Sequence, residues 1–426
     1  METDRRGLAL STTSPSAAVQ YRDSAELFLL GRPGAQDGFA SAVQADPDFA
    51  EAHVGLAFSA IYEGDNEATK RALSRAQACA STERARGQVA LVRGLSELNA
   101  RSTRRDAMTH LAAYPSDDLA REAAGLVFLL LGMSATSADL YDWLAPTQGD
   151  DWSFTGSWSF SCHEMGRLDE ARRLGELALA DHPDHAFAVH SLTHVAYESG
   201  RHIEGASLLT AFLADNEPIL FHQRHLRWHL ALHLLTAGDQ AGVRALWSSA
   251  VAPDATAIRL GAVEDGAGLL WRWHLYNTGG WELPWGELGD LARDIARLPV
   301  APLPSACAVV VLAALDEHDT LDTLLANAES IEAAGLPAPT PVLRAVATAA
   351  TASFSGDWNR VADALLRVRG QFWRIGGSRA QREVFDEALL FGLVWAGRGD
   401  EAVPLLQERL GRRPSDRESR LLATLT

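Results

Sequence analysis

Apolar residues recur at intervals of three and four along nearly the whole chain after residue 23, and the alternation typical of strands is rare. Leu, Ala, Arg and Glu, which favour helices, dominate these stretches. Glycines followed by polar residues interrupt the pattern in the segments EMGRLDEA, ESGRHIEG, TAGDQAGV, FSGDWNRV and AGRGDEAV. A glycine at such a position suits a left-handed cap that ends a short helix. The pattern therefore predicts an all-α protein built from helical hairpins.

The spacing of small residues indicates which kind of hairpin this is. Gly166, Ala171, Ala178 and Pro183 are separated by five, seven and five residues, and Gly200 follows Gly166 after 34 residues. Parts of this spacing recur at Gly397, Ala402 and Pro414 and at Ala35, Ala42 and Pro47. A turn glycine, small residues where two helices touch and a 34-residue period are typical of tetratricopeptide (TPR) repeats. We therefore expect a TPR-like α-solenoid, a right-handed superhelix of antiparallel helix pairs that can curl around a central cavity.

The expected organisation is one long array after a short tail. Residues 1–22 are predicted to be a flexible tail, and residues 23–426 a single superhelix, because each hairpin must bury its apolar face on a neighbour. The repeats are clearest over 150–250 and 385–426. The Gly-, Pro- and Trp-rich stretch over 276–305 is predicted to interrupt them.

Charge and cysteine content narrow the class of protein. The net charge of −17 disfavours binding to nucleic acid or to anionic membranes, which requires clustered Lys and Arg. The apolar run at 306–315 is too short for a membrane span of about 20 residues, and the start of the chain lacks an apolar signal core. Three dispersed cysteines fit a reducing compartment. We therefore predict a cytoplasmic protein without nucleic-acid or membrane partners. Its twelve tryptophans allow a homodimer through an exposed aromatic patch.

Histidine is concentrated in one part of the sequence. Nine of the 14 histidines fall within residues 182–233. His190 and His194 are four residues apart, so they share one helix face. A second stripe, bordered by Trp228, contains His222, His225, His229 and His233.

Four interpretations of the histidines remain open at this stage. They can be structural, bonded to backbone or carboxylates. They can bind a ligand or act in acid–base chemistry, because imidazole titrates near neutral pH. They can hold a metal through His190, His194 and His229, although HSLTH lacks the glutamate of the HExxH metal motif. The fourth interpretation is chance enrichment.

A few other polar residues interrupt apolar helices. Glu164 stands just before a hairpin turn, and Asp265 and Arg272 are seven residues apart on about one face. Arg272 lies between two tryptophans, where a guanidinium can stack and hold a carboxylate. An ion pair within the helix is the alternative. Ser378 follows two glycines at a predicted helix start, which can bind an anion or can simply be capped.

Four blocks of sequence resemble the tetratricopeptide repeat protein 38 family. They are FAVHSLTHV with GRHIEG (187–205), HLRWHLAL (225–232), DGAGLLWR (265–272) and IGGSRAQREVF (375–385), within a matched span of about 155–415. The resemblance implies a TPR-like superhelix but no particular reaction. Ser305 and Cys307 stand where that family has an Asp-x-His pair, and Glu383 where it has Asp.

The favoured function is a small-molecule site inside the superhelix, without metal or other cofactor. His190 or His194 would be the general base, His229 or Glu164 the acid, and the chemistry hydrolysis, elimination or isomerisation. The predicted substrate-binding residues are His225, Trp228, Asp265, Trp271, Arg272, Ser378, Gln381 and Arg382. A scaffold that binds a peptide or partner protein in its concave groove is the alternative, and a three-histidine metal site is a weaker one.

Overall fold

A computed structural model describes residues 2–216, 223–253, 259–298, 301–334 and 338–426. The chain divides into two compact units, which are described separately: unit 1 comprises residues 1–195 and 211–223, and unit 2 comprises residues 196–210 and 224–426. Within the described residues the regular elements are helical, and the one β-bridge, between Thr3 and Ala9, is isolated. The all-α prediction is confirmed for these residues.

The first twelve helices are α1 (Pro15–Leu30), α2 (Ala35–Ala45), α3 (Ala50–Tyr62), α4 (Asn66–Cys79), α5 (Glu83–Ser96), α6 (Ala100–Ala113), α7 (Asp118–Leu130), α8 (Ser134–Gln148), α9 (Trp152–Glu164), α10 (Leu168–Asp181), α11 (Ala186–Glu198) and α12 (His202–Asp215). The remaining helices are α13 (Gln223–Ala237), α14 (Gln240–Leu246), α15 (Arg259–Leu275), α16 (Gly286–Arg297), α17 (Pro302–Ala314), α18 (His318–Ala333), α19 (Thr340–Ser355), α20 (Trp358–Leu366), α21 (Arg379–Trp395), α22 (Gly399–Arg412) and α23 (Asp416–Leu425). A π-helical turn (Trp247–Val251) follows α14, and a 3₁₀-helix (Arg369–Ile375) precedes α21.

The helices of the first half follow a regular period. Helices α9 and α11 begin 34 residues after α7 and α9, and α10 and α12 begin 34 residues after α8 and α10. The turns between the paired helices contain Gly64, Leu98, Gly132, Gly166 and Gly200, each 34 residues after the last and each with positive φ. The period and the pairing of α3 with α4, α5 with α6 and α9 with α10 are those of TPR repeats.

The regular repeats begin earlier than the sequence pattern indicated. They extend over about residues 50–215, and not only from residue 150. The turn at Leu98 explains the difference, because a leucine with φ of 48° occupies the position at which the other four turns have glycine. The missing glycine hid one repeat from the sequence pattern.

The core of unit 1 contains many aromatic side chains near its start. Phe28 packs against Phe39 and Phe58, and Tyr21 packs against Phe39 and Phe49, with ring centroids 4.8–6.4 Å apart. These rings are buried. Gly55 allows the close packing of α3 on Phe39, because a Cβ there would lie 2.5 Å from its ring.

The flexible tail predicted for residues 1–22 is wrong. Helix α1 begins at Pro15, with Ser14 accepting a hydrogen bond from its first turn. Ahead of it, Arg5 pairs with Asp118 at 2.7 Å and with Asp151 at 2.9 Å, and Asp4 pairs with Arg84 at 2.5 Å. The partners of these charged residues are 80 or more positions away, so the sequence pattern did not reveal them.

Unit 2 is less regular. From α13 onward, the first helices of successive pairs begin 36 to 43 residues apart. Its core centres on α15, α17, α19 and α21, which pack together through buried leucine, valine and alanine side chains. The predicted interruption at 276–305 is shorter than expected, because α16 and the start of α17 lie within it.

No described helix is both long enough and apolar enough to cross a bilayer. A single superhelix over 23–426 and a central cavity both stay predictions, as do the homodimer and the cytoplasmic location.

Candidate functional site

Unit 1 contains a cavity of about 120 Å³ between its helices. Two carboxylates, one imidazole and five serines line it, together with Tyr62, Tyr141 and apolar side chains. The lining polar residues are Glu122, Ser134, Ser137, Ser157, Ser161, Glu164, His190 and Ser191. Two predicted catalytic residues, Glu164 and His190, thus face one cavity. Such a combination of polar groups and apolar wall is typical of small-molecule sites.

One wall of the cavity is organised around Glu122. Its Oε1 accepts hydrogen bonds from Arg121 at 2.9 Å and from Ser157 at 2.7 Å. Arg121 is fully buried and also donates to Asp118 and to Ser153. Burial, followed by the negative charge of Glu122, raises the pKa of Tyr141, so this phenol stays neutral and remains a hydrogen-bond donor.

The opposite wall contains Glu164, at the end of α9. Its Oε2 accepts a hydrogen bond from Ser134 at 3.1 Å, and its Oε1 lies 3.2 Å from Nε2 of His163. His163 is fully buried, and its ring packs at a tilt against that of His194, with centroids 4.4 Å apart. A hydroxyl and an imidazole therefore contact the carboxylate beside the cavity.

His190 and His194 lie one turn apart on α11. Their Nε2 atoms are 3.0 Å apart, and the ring of Phe160 packs against both imidazoles, stacked on His190 at 5.2 Å. His190 lines the cavity, whereas His194 is buried behind it. The expected shared face is confirmed, and it joins His163 and Glu164 in unit 1.

The second histidine pair lies on α13, in unit 2. The Nε2 atoms of His225 and His229 are 3.2 Å apart. Nδ1 of His225 lies 2.9 and 3.1 Å from the two carboxylate oxygens of Asp265, on α15. Trp228 is buried and stacks on His225 at 5.1 Å. Four predicted residues, His225, Trp228, His229 and Asp265, therefore form one cluster.

A third member of the predicted histidine stripe, His233, makes different contacts. His233 instead contacts His202, Nδ1 to Nδ1, at 3.2 Å, and it packs closely against Gly205. His222 lies outside the described residues.

Ser378 and Gln381 form a capping box at the start of α21. Gln381 also donates a 3.2 Å hydrogen bond to Glu264, next to Asp265 in the sequence. Burial and the neighbouring Asp265 raise the pKa of Glu264 to about 8, against the opposing effect of Gln381. Ser378 is thus a helix cap, which was the alternative interpretation, and the anion site at this helix start stays a prediction.

Arg272 is a buried brace between α15 and α21, and its role as an anion clamp stays a prediction. Nε donates to Glu387 at 2.8 Å, and the two Nη atoms donate to the carbonyls of Gly268 and Ala380. The guanidinium is 1% exposed. Each of its three nitrogens donates a hydrogen bond within unit 2, which uses three of the five N–H groups of the guanidinium.

Trp271 and Arg382 also have structural roles. Trp271 donates to Ser353 at 3.3 Å and packs on Phe385 in the core. Arg382 donates to the backbone carbonyl of Gly377 in the preceding turn. The prediction that they bind substrate is therefore not supported by their contacts.

A second charged network joins α21, α22 and α23. Glu383 accepts from Arg413 at 2.8 Å and pairs with Arg409 at 2.9 Å, and Arg409 pairs with Glu418 at 2.6 Å. These arginines hold the pKa of Glu383 far below its ordinary value, despite its burial. Glu198, buried beside the charge of Glu383, has a raised pKa.

Sequence analysis missed the residues that complete the unit 1 cavity. Glu122, Ser134 and Tyr141 come from α7 and α8 and from no recognisable motif, and Ser157 lies on α9 together with Glu164. His163 stands next to Glu164 in the sequence, but the residue that it contacts, His194, is 31 positions away and could not be foreseen. The segment SFTGSWSFS could have indicated a polar cavity, because it places four serines on a helix that is otherwise mostly apolar or aromatic.

No model of a known protein family matches the chain. Among solved structures, one similar to it is Naa15/Naa10 bound to HypK-THB, at 12% identity and a TM-score of 0.27, covering 93% of this chain. The match spans 63% of that protein's chain. Another is the P58(IPK) TPR domain, at 12% identity and a TM-score of 0.21, covering 90% of this chain and 98% of that one. At these values the fold rests on the helix pairs themselves: the chain is a TPR-like helical repeat protein.

Proposed function

We propose that unit 1 binds a small amine in the cavity beside Glu164. The observation that carries the proposal is the convergence of Glu122, Glu164 and His190 on a cavity of about 120 Å³. Two carboxylates favour a cation or a hydrogen-bond donor, while Phe160, Phe187 and Leu129 offer apolar contact to its carbon skeleton. The volume fits a small molecule and is too small for a helix.

We further propose that unit 1 carries out acid–base chemistry on the bound molecule. Glu164 and His190 are the groups assigned to proton transfer, because both face the cavity. His194 would orient His190 through their 3.0 Å contact. His229, which belongs to unit 2, is left out of this assignment. Hydrolysis, elimination and isomerisation all fit such a pair without a redox cofactor.

The test is ligand binding by thermal shift and calorimetry with a panel of small alkyl and aryl amines. The matching carboxylic acids form a counter-panel. We expect amines to raise the melting temperature and acids to have no effect. Glu164→Gln should weaken amine binding about 10- to 100-fold, the usual worth of a charge-assisted hydrogen bond.

Glu176→Gln is the matched control, since Glu176 is exposed on the neighbouring helix α10. It should bind amines as the unchanged protein does. Amine binding that survives Glu164→Gln, or a panel without any response, contradicts the proposal. Turnover is then sought by NMR with the tightest amines, and His190→Ala should abolish it with a normal melting curve.

A protein-interaction scaffold is the second candidate. It is supported by the regular 34-residue helix pairs over residues 50–215, because TPR arrays offer grooves to peptides. Membership of the tetratricopeptide repeat protein 38 family is also proposed, on the four sequence blocks. A bound peptide would be indifferent to Glu164→Gln, which separates the two functions.

A further inference from the structure

We propose that His225 and His229 of unit 2 chelate a divalent transition-metal ion. This inference goes beyond the function proposed for unit 1 and does not depend on it. The two imidazoles lie one turn apart on α13, with their Nε2 atoms 3.2 Å apart. Two metal–nitrogen bonds of about 2.0–2.1 Å at a tetrahedral angle place the nitrogens about 3.3 Å apart. The side chains already have that separation.

Asp265 strengthens the argument because it acts on the other ring nitrogen. Both its oxygens lie within 3.1 Å of Nδ1 of His225. A carboxylate that accepts the Nδ1 proton fixes the tautomer with a lone pair on Nε2 and makes that nitrogen a better ligand. Asp265 is thus a positioning residue, and it is itself buried.

The surroundings hold both rings in place. Trp228 stacks on His225 and contacts His229 edge-on at 4.7 Å. His229 is fully buried, whereas His225 is partly exposed, which gives an ion a route from solvent. Fixed rings lose little conformational entropy on binding, so the affinity should exceed that of two histidines on a mobile segment.

Without a metal, one proton lies between the two Nε2 atoms. His225 carries its proton on Nδ1, toward Asp265, so His229 donates from Nε2 to His225. An ion takes the place of that proton, and His229 changes to the tautomer with its proton on Nδ1. The exchange needs no net loss of a proton and no redox partner. Imidazole ligands suit Zn²⁺, Ni²⁺, Cu²⁺ and Co²⁺.

The experiment uses the full chain, stripped with chelator and then titrated with Zn²⁺, against a chromophoric competitor. We expect at least one ion per chain with a dissociation constant in the micromolar range or below. His225→Gln and His229→Gln should each weaken binding 10-fold or more. Asp265→Asn, which keeps both ligands, should weaken binding by a smaller factor than either histidine variant does.

Two further measurements separate chelation from folding effects. Cu²⁺ bound to the chain should show nitrogen couplings in electron paramagnetic resonance, which diminish in His229→Gln. His318→Gln, at an exposed histidine of unit 2, is the matched control and should change neither affinity nor spectrum. The proposal is overturned if the unchanged chain binds no Zn²⁺ at a free concentration of about 50 μM. It is also overturned if a folded His225→Gln/His229→Gln variant binds Zn²⁺ equally well.

Discussion

The two units each contain charged side chains within apolar helices, and Glu122 and Glu164 of unit 1 differ from Arg272 and Glu383 of unit 2 in their surroundings. In unit 1, Glu122 and Glu164 are bonded on one side and border a cavity on the other. In unit 2, Arg272 and Glu383 are enclosed, and each is bonded to partners from a neighbouring helix. Both kinds look alike in the sequence, as a charged residue inside an apolar helix. The difference teaches that the number of bonds already made within the fold, and not burial alone, separates a candidate site from a brace.

The largest expected effect comes from breaking the brace. Arg272→Met leaves the buried Glu387 without its 2.8 Å partner, and removing one member of a buried ion pair costs about 3–5 kcal/mol. Urea denaturation should show that loss in the free energy of unfolding. The exposed Arg297, 3.7 Å from Asp294, is the control, and Arg297→Met should stay within about 0.5 kcal/mol.

A second substitution, at Glu387, tests whether the loss of stability comes from the unpaired carboxylate. Arg272→Met/Glu387→Met removes both charges and should recover much of the lost stability, because the unpaired carboxylate is gone. If the single variant unfolds at the same urea concentration as the unchanged protein, Arg272 is not a brace, and the contrast between the units fails.

The next effect is a pH dependence that originates in unit 1. Burial, with a smaller contribution from His182, lowers the pKa of His185 to about 3. Since an unfolded histidine takes up a proton near pH 6.5, stability is complete above that pH and falls as the pH decreases toward 3. Between pH 7 and pH 4 the loss is about 3 kcal/mol.

His185→Leu should flatten this part of the stability profile, measured by urea denaturation at each pH. His318→Leu, at an exposed position, should leave its slope unchanged. An equal slope in His185→Leu and in the unchanged protein would show that the acid sensitivity arises elsewhere.

The smallest effect concerns the regular repeats. Leu98 has a φ of 48°, in the region where the equivalent turns have glycine. Leu98→Gly removes that strain, which costs roughly 1–2 kcal/mol, but adds unfolded-state entropy. We expect a net gain of up to about 1 kcal/mol by thermal denaturation. Gly166→Ala, at an equivalent turn with open space around it, should lose about 1 kcal/mol; the same sign in both would contradict the comparison.

Much of the fold could be predicted because its signals are local. Turn glycines such as Gly166 and Gly200 and the three- and four-residue periodicity depend on near neighbours only. The histidine pairs were predictable for the same reason, since residues four apart share a helix face. Trp228 was correctly placed beside its stripe.

The partners of the charged residues could not be predicted, because they are distant in the sequence. Arg272 and Glu387 are 115 positions apart, and Ser157 and Glu122 are 35 apart. Spacing within one helix made Asp265 an apparent partner of Arg272, whereas the fold gives each residue a different partner. Such pairings depend on which helices pack together, and a single sequence of similar repeats leaves that choice open.

The short segment ahead of α1 has a practical consequence for altering this protein. Arg5 binds Asp118 and Asp151, at the starts of two helices one repeat apart, and Asp4 binds Arg84 one repeat earlier. Residues 4 and 5 therefore contact the helix starts of three successive repeats, and these contacts depend on the spacing of the repeats. Deleting one repeat between residues 84 and 151 would therefore break at least one of these ion pairs.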